Sequence, residues 1–61
     1  MMTLREWEAA MLQAGATRIR VVSLKQGEYD AEAVIAKGLI TVSGEDMETV
    51  CARLLERCQG R

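Results

Sequence analysis

The chain has 61 residues, and its nine acidic and eight basic side chains leave a formal net charge of −1. A charge this close to zero argues against non-specific binding to nucleic acid or to anionic lipid. The chain contains no histidine, which excludes a Ser-His or Cys-His catalytic pair. No stretch approaches the roughly 18 apolar residues that a membrane-spanning helix needs.

The N-terminal segment predicts a helix over residues 3–14. Apolar residues recur at three- and four-residue steps from Leu4 to Met11, which is the spacing of one helix face. Thr3 is a favourable N-cap residue, and Glu6 three positions later completes a capping box. This helix therefore has both a cap and an apolar side that can pack.

The middle of the chain predicts three strands, over residues 17–25, 29–36 and 39–42. These segments are rich in β-branched residues or alternate between apolar and polar side chains. Gly27 and Gly38 mark the turns between them. Because short turns join consecutive antiparallel strands, we expect a three-stranded antiparallel meander.

The expected turn lengths predict the register of this sheet. A three-residue loop over residues 26–28 places Val21 beside Ala33, and a two-residue turn over residues 37–38 places Val42 beside Ala33. One face then collects a set of aliphatic side chains that can form a core. These are Ile19, Val21, Ala31, Ala33, Ile35, Ile40 and Val42.

The C-terminal segment predicts a second helix over residues 44–58. Its apolar residues, from Met47 to Cys58, follow the helical i, i+3, i+4, i+7 pattern. Ser43 is the expected N-cap, with Asp46 at the capping-box position. The chain is thus expected to be an α+β protein, a single αβββα domain over residues 1–61 with both helices packed on one sheet face.

The two cysteines are expected to be structural. Cys51 and Cys58 lie seven residues apart in the predicted helix, which is about 10 Å along its axis. A disulfide needs Cα atoms within about 7 Å, so these thiols cannot pair within the chain. Without histidine or further cysteines they form no zinc site, and we expect no metal and no cofactor. Reduced thiols favour a cytoplasmic location.

The opposite sheet face has no predicted helix to cover it, yet it is half apolar. A solvated sheet face normally alternates to polar residues, so this composition favours a contact patch with a charged rim. The apolar members are Val22, Leu24, Val34 and Leu39, and the charged members are Arg18, Arg20, Asp30 and Glu32. Two alternatives are scattered surface residues without a role and a bulge near Val21 that turns Val22 and Leu24 inward.

Catalysis by this face is not expected. Asp30 and Glu32 point to the same side two residues apart, as a pair of catalytic carboxylates would. The simpler interpretation is that they neutralise Arg18 and Arg20 across the strand pair. The chain is therefore predicted not to be an enzyme.

The predicted order of elements resembles the double-stranded RNA-binding domain. That family grips phosphates with lysines at the start of its last helix, where this chain reads Glu45-Asp46-Met47-Glu48. The resemblance therefore implies the shape of that domain rather than its activity. The alternative function that it leaves is nucleic-acid binding through Arg18 and Arg20.

Residues 29–58 also resemble the strand-strand-helix part of HicB-type antitoxins. Gly38 follows an extended strand, Gly44 lies in a small-residue turn, and Glu45 and Glu48 make the helix start acidic. This resemblance implies a partner-binding module that occludes a toxin.

The sequence as a whole predicts a small non-enzymatic module that binds a protein by covering its surface. Inhibitors encoded by phages and mobile elements, including anti-CRISPR proteins, share this small size and lack of catalytic chemistry. The partner on the open face is either a different protein or a second copy of the chain, which would make a homodimer. We expect no membrane partner.

Overall fold

The computed structural model describes residues 2–60, which form two helices and one sheet. The elements are α1 (Leu4–Gln13), β1 (Arg18–Lys25), β2 (Glu28–Ile35), β3 (Gly38–Gly44) and α2 (Met47–Cys58). Their order is α-β-β-β-α, and β2 lies between β1 and β3 in an antiparallel sheet. The predicted α+β fold is confirmed.

The core lies between the sheet and the two helices. α2 packs across all three strands, whereas α1 contacts α2 and β1. The fully or nearly buried residues are Met11, Ala16, Ala31, Ala33, Val50, Cys51, Leu54 and Cys58. Two alanines on the central strand leave room for α2 to approach the sheet closely. Both helices therefore use the same sheet face.

The predicted strand register is wrong by two residues in both hairpins. Val21 and Val42 each lie opposite Ala31 rather than Ala33. Both turns consist of two residues, over 26–27 and 36–37. In the second hairpin the turn begins one residue earlier than expected, and this alone shifts the register by two. In the first hairpin the loop is one residue shorter than expected, and a register shift between Ser23 and Lys25 adds the second residue. Since a shift of two residues preserves the side to which a side chain points, the predicted core face is retained.

A β-bulge at Leu24 keeps the apolar residues of β1 on the core face. The two-residue loop pairs Lys25 with the first residue of β2. Continued without interruption, that pairing would set Val21 opposite Glu32. The register shifts between Ser23 and Lys25, and this extra residue brings Val21 opposite a buried alanine. The alternative of a bulge near Val21 is not observed.

The start of α1 agrees with the predicted capping box. The Glu6 amide donates to Thr3 Oγ1 at 3.2 Å, and the Thr3 amide donates to Glu6 Oε1 at 2.8 Å. Two of the amides that a helix start leaves without partners are thereby satisfied.

The start of α2 differs from the prediction. Ser43 does not cap this helix. Asp46 is the N-cap, and its Oδ1 accepts a hydrogen bond from the Thr49 amide at 2.7 Å. β3 continues through Gly44, which pairs with Tyr29. The chain leaves the sheet later than expected because strand pairing extends past Ser43.

Neither α1 nor α2, the helices found within residues 2–60, is long and apolar enough to cross a membrane.

Candidate functional site

The candidate site is the sheet face opposite the helices, which we call the open face. Cross-strand pairing arranges most of its side chains in three rows. The first row is Arg18, Val34 and Leu39, the middle row is Arg20, Glu32 and Thr41, and the third row is Val22, Asp30 and Ser43. Leu24 lies at the bulge beyond the third row. All eight residues predicted for the site thus share one face.

An ion pair crosses the middle of the open face. Arg20 Nη1 lies 3.8 Å from Glu32 Oε1, with both side chains substantially exposed. Such a pair contributes about 1 kcal/mol or less to stability. The expected layout, a contact patch with a charged rim, is therefore wrong in detail, because Arg20 and Glu32 lie between two apolar groups.

Two shallow depressions flank this ion pair, and both are lined by Arg20 and Glu32. The first depression holds Val22 and Leu24, and the second holds Val34 and Leu39. Leu24 is 56% exposed and Leu39 is 63% exposed, whereas the two valines are half-buried. Each depression thus offers one protruding leucine beside one valine.

The remaining charges are divided between the two ends of the face. Arg18 lies across from Val34, and Asp30 lies between Val22 and Ser43. The sequence predicts that Asp30 and Glu32 neutralise both Arg18 and Arg20. Among residues 2–60, the ion pair on this face joins Arg20 to Glu32. One end is therefore apolar and positive, and the other is apolar and negative.

Ser43 belongs to the open face, although it was expected to start the second helix. It lines the same depression as Leu24, together with Thr41. Its carbonyl accepts a hydrogen bond from Arg53 Nη1 at 2.9 Å, which ties the end of β3 to α2. The alternation of Leu39, Thr41 and Ser43 was the available signal, because it continues the strand period past Val42.

The two carboxylates of the face lie in an open setting. Asp30 is exposed and Glu32 is partly exposed and paired with Arg20. Within residues 2–60, no three Cys, Asp or Glu side chains gather as metal ligands would.

The cysteines lie on the other side of the sheet. Cys51 and Cys58 are buried and unlinked. Burial raises the pKa of both thiols, and the Glu8 carboxylate raises that of Cys51 further. Because the thiolate is the reactive form, both side chains serve as packing groups in α2.

Comparison with protein-family models, with curated proteins and with solved structures finds no match. The resemblances to the double-stranded RNA-binding domain and to HicB-type antitoxins therefore stay predictions. The first turn of α2 carries Glu48 behind the Asp46 cap, so the site of phosphate contact in the RNA-binding family is acidic here.

Proposed function

We propose that this chain is a small, non-enzymatic protein-binding module that covers a surface of its partner with the open face. The observation that carries this proposal is the exposure of Leu24 and Leu39, at 56% and 63%, on a sheet side that no helix of residues 2–60 covers. Exposed apolar groups framed by polar residues are typical of interaction sites.

The layout of the open face defines the partner's chemistry. A complementary surface carries two apolar projections, one for each depression beside the Arg20–Glu32 pair. It also carries an acidic group near Arg18 and a basic group near Asp30. Such charges at the margin of an interface contribute mainly to orientation and association rate, while the leucines supply the affinity.

The mode of action that we propose is occlusion. A module of this kind inhibits a larger protein by covering its working surface, as antitoxins and phage-encoded inhibitors such as anti-CRISPR proteins do. The buried, unlinked Cys51 and Cys58 fit a reducing compartment, and we place the module in the cytoplasm.

Leu12 provides a matched control for testing this surface. It is 54% exposed, a fraction similar to the 56% of Leu24, but it lies on α1 and not on the open face. The test captures partners from cell lysate with four tagged proteins: the wild type, Leu24→Glu, Leu39→Glu and Leu12→Glu. Circular dichroism verifies that each variant is folded. We expect Leu12→Glu to retain a stoichiometric protein partner and both open-face variants to lose it.

Treatment with nuclease separates this proposal from nucleic-acid binding. A protein partner that survives nuclease and depends on Leu24 supports the proposal. Equal capture by the folded variants Leu24→Glu and Leu39→Glu would contradict it. Capture that disappears on nuclease treatment and in an Arg18→Gln variant would instead support the nucleic-acid alternative, whose affinity falls steeply with salt.

A further inference from the structure

The two edges of the sheet differ in how well they are protected. An edge strand presents unpaired backbone groups that can pair with another chain, and proteins block such edges with charges, prolines or bulges. β1 carries a bulge at Leu24 and the charged residues Arg18, Arg20 and Lys25. β3 reads GLITVSG and pairs with β2 residue by residue from Gly38 to Gly44. The residues of β3 itself thus include none of these protective features, and the charged group at its outer edge is Arg53 of α2, at the Ser43 carbonyl.

The outer edge of β3 also has backbone groups ready to pair. The Ser43 carbonyl accepts from Arg53 at 2.9 Å, so it faces away from β2. Because backbone groups alternate in direction along an antiparallel strand, the carbonyls and amides of Leu39 and Thr41 face the same outer edge. Within residues 2–60, no side chain or turn bonds to those groups.

We propose that β3 pairs with β3 of a second copy of this chain, antiparallel about a two-fold axis at Thr41. This register overlaps the whole strand, from Gly38 to Gly44. It sets Thr41 opposite itself and Ile40 opposite Val42 of the second copy. The product is a continuous six-stranded sheet.

The strand is suited to its own copy because it is close to self-complementary. Glycines stand at both ends, and the β-branched residues Ile40 and Val42 stand on either side of Thr41. A two-fold interface requires such self-complementarity. Ile40 and Val42 are only partly buried, and pairing brings each against the other across the new seam. β3 has no charged side chain, so the pairing places no like charges opposite each other.

Pairing through the open face is the less favourable route to a dimer. Glu32 occupies the middle row of the middle strand, next to Arg20. A two-fold axis through the centre of that face sets Glu32 against Glu32 of the second copy. The edge dimer avoids this repulsion. It also leaves both open faces free, side by side on one side of the sheet, so it is independent of the proposed partner binding.

Sedimentation equilibrium tests the dimer directly. We expect the wild-type mass to rise with concentration from 6.8 kDa to twice that value. Thr41→Lys sets like charges opposite each other and should weaken the dimer several-fold. Ser23→Lys places the same charge on β1, also at an exposed hydroxyl residue, and should leave the dimer unchanged. A wild-type chain that stays monomeric, or equal weakening by both variants, overturns the proposal.

Cysteine cross-linking distinguishes the edge from the open face. Directly paired antiparallel residues have Cα atoms about 4.5–5.5 Å apart, within the range of a disulfide. Oxidised Thr41→Cys should therefore form covalent dimers. Leu24→Cys should not, because β1 and its copy lie five strand spacings apart, about 24 Å. Cross-linking through Leu24→Cys alone overturns the edge dimer in favour of a face-to-face dimer. A monomer that still captures its partner overturns the dimer and leaves the proposed function standing.

Discussion

Gly44 fixes how closely the end of β3 meets α2. A Cβ atom at this position would lie 3.0 Å from Val50 Cγ1, and Val50 is completely buried. Overpacking of this kind costs about 1–3 kcal/mol, whereas loss of glycine freedom in the unfolded chain returns about 0.4–1 kcal/mol. We expect Gly44→Ala to lower the free energy of unfolding by about 1 kcal/mol in urea titrations.

Ser43→Ala is the matched control for Gly44→Ala, because it changes the exposed neighbour in the same strand. Its free energy of unfolding should stay within about 0.5 kcal/mol of wild type, as for most surface substitutions. A Gly44→Ala protein as stable as this control would contradict the close contact with Val50.

The buried thiols make stability depend on pH in the alkaline range. Burial raises the pKa of Cys51 and Cys58 in the folded chain, while the unfolded thiols titrate near about 8.5. Above that pH the folded state holds more protons than the unfolded state, so stability falls as the pH rises. We expect urea midpoints to decline from pH 8 to pH 10.

The same urea titrations on the double variant Cys51→Ala/Cys58→Ala provide the control. This protein is less stable at every pH because two core side chains are truncated. Its decline between pH 8 and pH 10 should nevertheless be shallower than that of wild type. Parallel curves for the two proteins would show that other groups cause the alkaline loss.

The first hairpin shows that a strand tolerates a changed length only where the side-chain alternation is preserved. The bulge at Leu24 compensates for the two-residue loop and holds Val21 opposite Ala31. Deleting Leu24 removes the bulge but leaves that pairing in phase. We expect the deletion variant to fold, with cross-strand nuclear Overhauser effects between Val21 and Ala31. It should also lose the protein partner, because the depression beside Val22 loses its leucine.

Deletion of Arg20 is the contrasting case, since it lies on the N-terminal side of Val21. This change moves Ile19 out of phase with Ala33 and turns a partly buried side chain away from the core. We expect a much larger loss of stability than for the Leu24 deletion. Equal stabilities for the two deletion variants would contradict the role assigned to the bulge.

The cap of α2 links helix stability to acid. The Thr49 amide donates to the Asp46 carboxylate, and this hydrogen bond lowers the pKa of Asp46. A lowered pKa contributes stability above the unfolded pKa of about 3.9, which is lost as the pH falls through the folded pKa. Asp46→Ala should lower Tm at pH 7, and its difference from wild type should shrink below pH 4. A difference that is constant with pH would contradict this cap.

These elements show what the sequence determines locally and what it leaves open. The predicted α1 cap and the two sheet faces depend on neighbours within a few residues, and the structure contains both. The start of α2 was mispredicted because Ser43 and Asp46 are both good caps, and only pairing with β2 decides between them. The site residues share the predicted face, because the alternation of side chains along a strand determines the side of the sheet on which each residue lies. It does not determine which residues lie opposite each other on neighbouring strands. The central position of Glu32 could therefore be found only from the observed strand register.

The thin core makes assembly matter for the stability of the entire chain. A chain of about 60 residues buries only about 60% of its unfolded surface, and α1 reaches the sheet only at β1. Binding that favours the folded state adds stability by mass action. If β3 pairs with a second copy, the apparent free energy of unfolding increases with protein concentration.

Thermal melts at increasing concentration follow from this coupling. The wild-type Tm should rise with concentration, by about 4–8 °C for each kcal/mol that dimerisation adds. The Tm of Thr41→Lys should depend little on concentration and should equal the value that the wild-type Tm approaches on dilution. The Tm of Ser23→Lys should rise with concentration as the wild-type Tm does. A wild-type Tm that is independent of concentration would mean that the two helices and three strands are stable without a second copy. In that case β3 would remain an unpaired edge strand in solution, and the proposed dimer would be wrong.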